Sequence, residues 1–126
     1  EYVKQANEET MVVLQVETAE AVEQLPDIIK TNDVDVIFIG PSDLSHSLGV
    51  PGQTEHPMVQ QAIERIVDIV EPSHAALGTL AVSEEATKLA LERGVRYLVV
   101  TVESLLRRSS HDYLQNVKAI LRAIPS

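Results

Sequence analysis

The sequence predicts an α/β fold built on a parallel sheet, and three observations carry that expectation. Four short apolar runs rich in β-branched residues recur along the chain. Each is followed by a stretch with apolar residues at helical spacing. Ser, Thr, Gly and Pro fall between them, where helices are capped and strands are closed. The order βαβαβαβα calls for parallel strands joined by crossover helices. Periodicity leaves open whether such a sheet is flat or closed into a barrel.

The first run is Met11 to Val16 (MVVLQV), short enough for a buried strand. Behind it, Thr18 is placed to cap a helix whose apolar face takes in Ala19, Val22, Leu25, Ile28 and Ile29. Pro26 predicts a kink or an early break there. The second run, Val34 to Ile39, closes on Gly40-Pro41. A loop containing Gly49, Pro51 and Gly52 then leads to the clearest helix, Pro57 to Val70. Its residues Met58, Val59, Ala62, Ile63, Ile66, Val67 and Val70 keep the helical period, and Pro57 suits the first position. The third run, Ala75 to Val82, is interrupted by Gly78. Ser83 caps the next helix, which carries Glu84 and Glu85 in its first turn and stops at Gly94. The fourth run is Tyr97 to Val102, followed by Leu105 to Ile124 as one or two helices with a break near Ser109-Ser110.

No low-complexity segment, linker or convincing repeat divides the chain. Its opening, EYVKQANEE from Glu1, reads as the last turns of a helix already under way. The expectation is a piece of a larger architecture.

With 126 residues, 44% of them hydrophobic, the chain suits one domain-sized unit with a real core. No apolar run approaches the roughly 20 residues of a membrane span, and no charged-then-apolar leader opens the sequence, so no membrane partner is expected. Cysteine is absent, which excludes disulfides and thiolate metal sites and agrees with a reducing cytoplasm, the expected location. Nineteen acidic residues against 10 basic ones give a net charge of −9. Such a surface repels phosphate backbones, and no basic stripe offsets it, so nucleic-acid binding is not expected. Aromatic residues, at 3%, are too few for base-stacking platforms. An anionic substrate would need a cation or a local Arg in its site.

In parallel α/β folds functional groups lie at the C-terminal ends of strands. Two carboxylates fall there: Glu17, in Gln15-Val16-Glu17-Thr18, and Asp43, in Gly40-Pro41-Ser42-Asp43-Leu44-Ser45. Adjacent parallel strands bring such ends together. Two carboxylates without Cys or a partnering His prefer a hard cation, Mg²⁺ or Mn²⁺, with water or substrate completing an octahedron. The alternative is that Glu17 borders its helix and Asp43 belongs to an Asx-type turn. In Gly40-Pro41-Ser42-Asp43, Gly40 permits close approach and the following amides are able to face an anion; a plain turn is the commoner use of Gly-Pro. His46 reads as a loop residue facing solvent, His56 as preceding a helix, and His74 and His111 show no partner at ligand spacing. Arg107-Arg108 reads as a solvated helix face.

The segments QVETAEAVEQLPDII, DVIFIGPSDLSHSLGVPGQTEHPMVQQAIERI and GTLAVSEEATKLALERGVRYLVV resemble the HpcH/HpaI aldolase and citrate lyase family. Within it, the 4-hydroxy-2-oxo-heptanedioate and 2-dehydro-3-deoxyglucarate aldolases look most alike. The likeness runs from about Asn7 to Leu106, and QVET followed by IGPSDLS and LGVPGQ is a specific combination. The resemblance implies that residues 1–126 form the C-terminal half, strands five to eight, of a (β/α)₈ TIM barrel whose N-terminal half is absent. It implies that Glu17 and Asp43 bind a divalent metal (Mg²⁺, Mn²⁺ or Co²⁺) which a pyruvate-like 2-oxo acid chelates. Gln15 then lies beside the substrate, and Gly40, Pro41, Ser42 and Asp43 line its carboxylate. The implied activity is class II aldol cleavage or formation, the metal stabilising a pyruvate enolate.

None of Lys4, Lys30, Lys88 or Lys118 ends a predicted strand, so no Schiff base is expected. The family's substrate-clamping Arg and catalytic His belong to the first half of its barrel, so the catalytic residues are unknown here. Thr101-Val102-Glu103 stands where the family often has a Gly, which bears on the shape of the substrate pocket. The expected partner is another copy of the chain or a complementary half-barrel. A half-barrel would leave two sheet edges and an apolar face uncovered. The other functional reading is a non-catalytic half-barrel that assembles and retains a vestigial metal site.

Overall fold

The computed structural model describes residues 9–31 and 33–124, so the helical reading of EYVKQANEE falls almost wholly outside the described residues. The described chain runs β1 (Val13–Val16), α1 (Ala19–Ile28) with a 3₁₀ turn at Ile29–Thr31, β2 (Val36–Ile39), α2 (Pro41–Ser47) and α3 (Pro57–Val70). It continues with β3 (Ala76–Leu80), α4 (Glu84–Glu92), β4 (Val95–Val99) and α5 (Val102–Ala123). Among the described residues these strands make one sheet in the order β1-β2-β3-β4, every pairing parallel. The predicted α/β class with a parallel sheet is what the chain adopts.

The strands are shorter than the apolar runs because capping groups take their ends. Asp35 turns its carboxylate to the Val12 amide at 2.7 Å, and Val12 O accepts from Asp35 N and Val36 N, so regular β2 pairing begins only at Val36. The expected fourth strand, Tyr97 to Val102, is displaced towards the N-terminus. Gly94, at φ 79°, ends α4 and lets Val95 pair at once with Leu77. Thr101 leaves the sheet to cap α5, accepting from the Ser104 amide at 3.2 Å. Between Leu77 and Gly78 the register shifts, and the β4 pairing passes over Arg96.

Two other expectations are corrected. Pro26 does not stop α1, which continues two residues past it to Ile28 before the chain passes into the 3₁₀ turn. No break occurs at Ser109-Ser110: α5 is one unbroken helix with no Gly or Pro from Val102 to Ala123. The predicted caps Thr18 and Ser83 are present, and His56, read only as preceding a helix, also caps one. Thr18 accepts from Ala21 N at 3.1 Å, Ser83 from Ala86 N at 3.1 Å, and His56 from Met58 N ahead of Pro57.

The core lies on one face of the sheet. Val16, Ile37, Ile39 and Leu77 from the strands pack with Val22 and Leu25 of α1, Leu44 of α2, and Val59, Ile63, Ile66 and Val70 of α3. Strand alternation puts Val13, Gln15, Phe38, Gly78, Leu80 and Tyr97 on the opposite face, where Val13 and Leu80 are exposed. Leu98 and Val100, on the helix-bearing side of β4, are also exposed, and no residue of α5 is buried. None of the described helices is long and apolar enough to cross a membrane.

Candidate functional site

The end of β1 and the end of β2 build the site. Gly40 N donates to Val16 O at 3.2 Å, which extends the β1–β2 ladder by one step and sets Glu17 beside Gly40. Gln15 and Glu17 point to the same face, two residues apart, and the Gln15 amide donates to Glu17 Oε2. Glu17 is half-buried and Gly40 buried, whereas Gln15, Ser42 and Asp43 are exposed.

Sequence reasoning read Gly40-Pro41 as a turn and His46 as a loop residue; Pro41–Ser47 is the helix α2, and this is a correction. Pro41 opens it at the first position with its φ already suited to a helix. Leu44 and Ser45, both fully buried, anchor one side, while Ser42, Asp43 and His46 stay exposed on the other. Asp43 therefore stands in the first turn of a helix, not in an isolated Asx turn. The first intrahelical bond is Leu44 N to Gly40 O, at 2.9 Å. The amides of Ser42 and Asp43 precede it and lie among those that a helix start leaves without a partner inside the helix.

Two serines that sequence reasoning did not single out hold this arrangement. Ser45 Oγ donates to Ser42 O at 2.5 Å and accepts from Gly52 N at 2.9 Å, tying α2 to the loop behind it. Ser47 Oγ accepts from Ala19 N at 3.0 Å, joining the end of α2 to the start of α1 just after Glu17. A serine's hydrogen-bond partner across a fold leaves no periodic trace in the sequence.

Chemically, Glu17 and Asp43 offer hard oxygen donors at the ends of neighbouring strands. Among the described residues no group of three or more His, Cys, Asp or Glu side chains is placed to hold a metal ion. Two carboxylates with open positions suit Mg²⁺ or Mn²⁺, which keep water or substrate oxygens in their coordination shell. The Glu17 side chain lies in the recess over Gly40, where a Cβ would meet its Cβ and Oε2. The other candidates are not drawn in. His46 is exposed on α2, and His111 lies 3.3 Å from the Gln115 amide on α5. Arg107 pairs with Glu103 on the solvated face of α5. A cavity of about 740 Å³ lies elsewhere, between α4, β4 and the start of α5, and neither carboxylate lines it. Its walls are mainly apolar side chains such as Leu91, Leu98 and Val100, which suits packing better than acid or metal chemistry.

The chain is a parallel β/α array with acidic side chains at its C-terminal strand ends, the end of the sheet where α/β folds carry their functional groups. The sequence model of the HpcH/HpaI aldolase/citrate lyase family matches residues 1–109, and the chain belongs to that family. It is 40% identical over 106 residues to a 4-hydroxy-2-oxo-heptane-1,7-dioate aldolase of Escherichia coli, covering 84% of this chain and 40% of the relative. The crystal structure of an HpcH/HpaI aldolase/citrate lyase family protein from Burkholderia cenocepacia J2315 superimposes with a TM-score of 0.87 at 35% identity, covering 93% of this chain and 46% of that one. The citrate synthase SbnG superimposes with a TM-score of 0.80 at 27% identity, over 94% of this chain and 49% of its own. The chain thus spans less than half the length of these relatives.

Proposed function

We propose that this chain supplies the carboxylate-bearing part of a divalent-metal-dependent aldolase or lyase that breaks or forms a C–C bond of a pyruvate-like 2-oxo acid. In this reading the sheet is strands five to eight of a (β/α)₈ barrel, in keeping with the share of its relatives that the chain covers. One observation carries the assignment: Glu17, oriented by the Gln15 amide, sits over Gly40 at the strand end that leads directly into the α2 turn bearing Asp43.

Glu17 and Asp43 would hold the cation, Mg²⁺, Mn²⁺ or Co²⁺, leaving its remaining positions to water and substrate oxygens. When bound, the cation supplies Lewis-acid stabilisation of the charge that develops on the keto oxygen as the C–C bond changes. The chain's own residues orient the substrate. The Ser42 and Asp43 amides face its carboxylate, Pro41 fixes the backbone that presents them, and Gln15 lies beside it. No lysine among the described residues stands at a C-terminal strand end: Lys30 is in the 3₁₀ turn, Lys88 in α4 and Lys118 in α5. That favours metal-assisted over Schiff-base chemistry.

Calorimetric titration with Mn²⁺, with and without oxalate, tests the reading. Binding should be tightened by oxalate and lost in both Glu17→Ala and Asp43→Ala. Undiminished binding in either variant would remove that carboxylate from the site. A second reading, a non-catalytic half-barrel that assembles with itself or a partner and keeps a vestigial site, draws on the exposed side of β4 and the wholly unburied α5. Retro-aldol assay of the chain with its associating partner separates the two: turnover requires the first reading, and metal binding without turnover the second.

A further inference from the structure

We infer that Gly40 is a positioning residue for the Glu17 carboxylate, a role that rests on the reading of Glu17 as a metal ligand. A methyl group built on Gly40 would stand 3.1 Å from Glu17 Cβ, 3.2 Å from Gln15 Nε2 and 3.4 Å from Glu17 Oε2. The first two approaches are tighter than packed carbon normally accepts. The Glu17 side chain therefore lies across the bare Cα of Gly40 and so carries its carboxylate to the Gln15 amide.

The backbone gives a different reason for the other loop glycines than for this one. Gly49, Gly52 and Gly94 have φ of 78°, 76° and 79°, where a side chain is strained, and nothing lies within 4 Å of the place a methyl would take. Gly40 has φ −104° and ψ 82°, on the negative-φ side open to other residues. What requires glycine at position 40 is the pair of side chains above it. An alanine there is reachable for the backbone and acts by pushing Glu17 and Gln15 off their present line. Disturbing the groups that orient a metal ligand costs about 10- to 100-fold in affinity.

The test joins a stability cycle to metal titration on the full chain. Urea unfolding of Gly40→Ala is compared in the natural background and in Glu17→Gly, where most of the obstructing atoms are gone. Mn²⁺ affinity is measured for the intact chain, Gly40→Ala and, as a packing control, Gly78→Ala. The expected result is a Gly40→Ala destabilisation that shrinks in the Glu17→Gly background. With it comes a Mn²⁺ dissociation constant raised about tenfold or more by Gly40→Ala and unchanged by Gly78→Ala. Equal destabilisation in both backgrounds, failure to fold in both, or equal Mn²⁺ affinity of the intact and Gly40→Ala chains would overturn the inference. Relief in the Glu17→Gly background together with no Mn²⁺ binding to the intact chain would uphold the contact and count against the metal reading instead.

Discussion

The rings of Phe38 and Tyr97 meet edge to face, centroids 6.4 Å apart and planes at 82°, although their strands are not neighbours. β3 runs between them, and Phe38, Gly78 and Tyr97 are in register across β2, β3 and β4. The two rings reach one another because Gly78 contributes no side chain to the row. Gln15 belongs to the same row at the β1 end, one step below Glu17, so the aromatic pair continues the layer on which the site stands.

Gly78→Ala should destabilise the chain by about 1–3 kcal/mol, the usual cost of overpacking. Its methyl would lie 3.0 Å from Tyr97 Cδ1, 3.0 Å from Val36 Cγ1 and 3.1 Å from Phe38 Cδ2. Tyr97 is half-buried, whereas Val36 is only 3% exposed and packed in place. A urea midpoint that does not fall would show that β3 shifts to absorb the methyl.

Ser45→Ala should cost about 1–2 kcal/mol, because it removes a fully buried hydroxyl that both donates and accepts. Gly52 N loses its acceptor, so the loop behind α2 should loosen first. Hydrogen exchange at the Gly52 amide checks this: exchange should quicken more than at the amides of α3. Uniform quickening would mean that the hydroxyl supports overall stability and not the loop in particular.

Much of the architecture was legible before the structure, and the reason is local. The succession of strands and helices along the chain followed from runs such as Val34 to Ile39, and the helix from Pro57 to Val70 showed itself by period and by its Pro start. Caps were legible because Thr18 and Ser83 act on amides three residues away. What escaped depends on partners distant in sequence. α2 has seven residues, too few to show a period, and its anchor Ser45 bonds to Gly52 through the fold. The family was legible from QVET and IGPSDLS, and the match over residues 1–109 bears it out. The crowding of Glu17 over Gly40 was not, since spacing along the chain does not tell how near two strand ends come.

Among the described residues, Asp27 carries a carboxyl held away from its ordinary range by a neighbouring cation. Lys30 donates a hydrogen bond to the Asp27 carboxylate and adds its positive charge, and the two together hold the Asp27 pKa below its ordinary value of 3.8. A carboxyl whose folded pKa is depressed adds stability that is present above its unfolded pKa and lost as pH falls through the folded value. Lys30→Ala should therefore raise the Asp27 pKa towards 3.8, read by NMR titration of its carboxyl carbon. The thermal midpoint at neutral pH should barely move, because the pair is exposed and screened by water. A large drop in that midpoint would assign Lys30 a packing role at the end of α1.

Self-association is the last expectation, and it follows from surfaces that the described chain leaves bare. A β/α unit normally lays its helix back over the strand it follows, burying the outer side of that strand. Here Leu98 and Val100 of that side are 40% and 48% exposed, and Leu91 facing them is 55% exposed. α5, which follows β4, shows Leu106, Tyr113 and Ile120 at 62%, 67% and 60%. Apolar area of this extent on both the strand and its helix is stable in water only when covered, and a second copy carries both complementary parts. Light scattering at micromolar concentration should therefore give a dimer or larger. Covering one such leucine contributes about 2 kcal/mol, so Leu98→Asp should weaken association by roughly 30-fold or more. A folded monomer before substitution would mean that α5 closes over its own strand in solution.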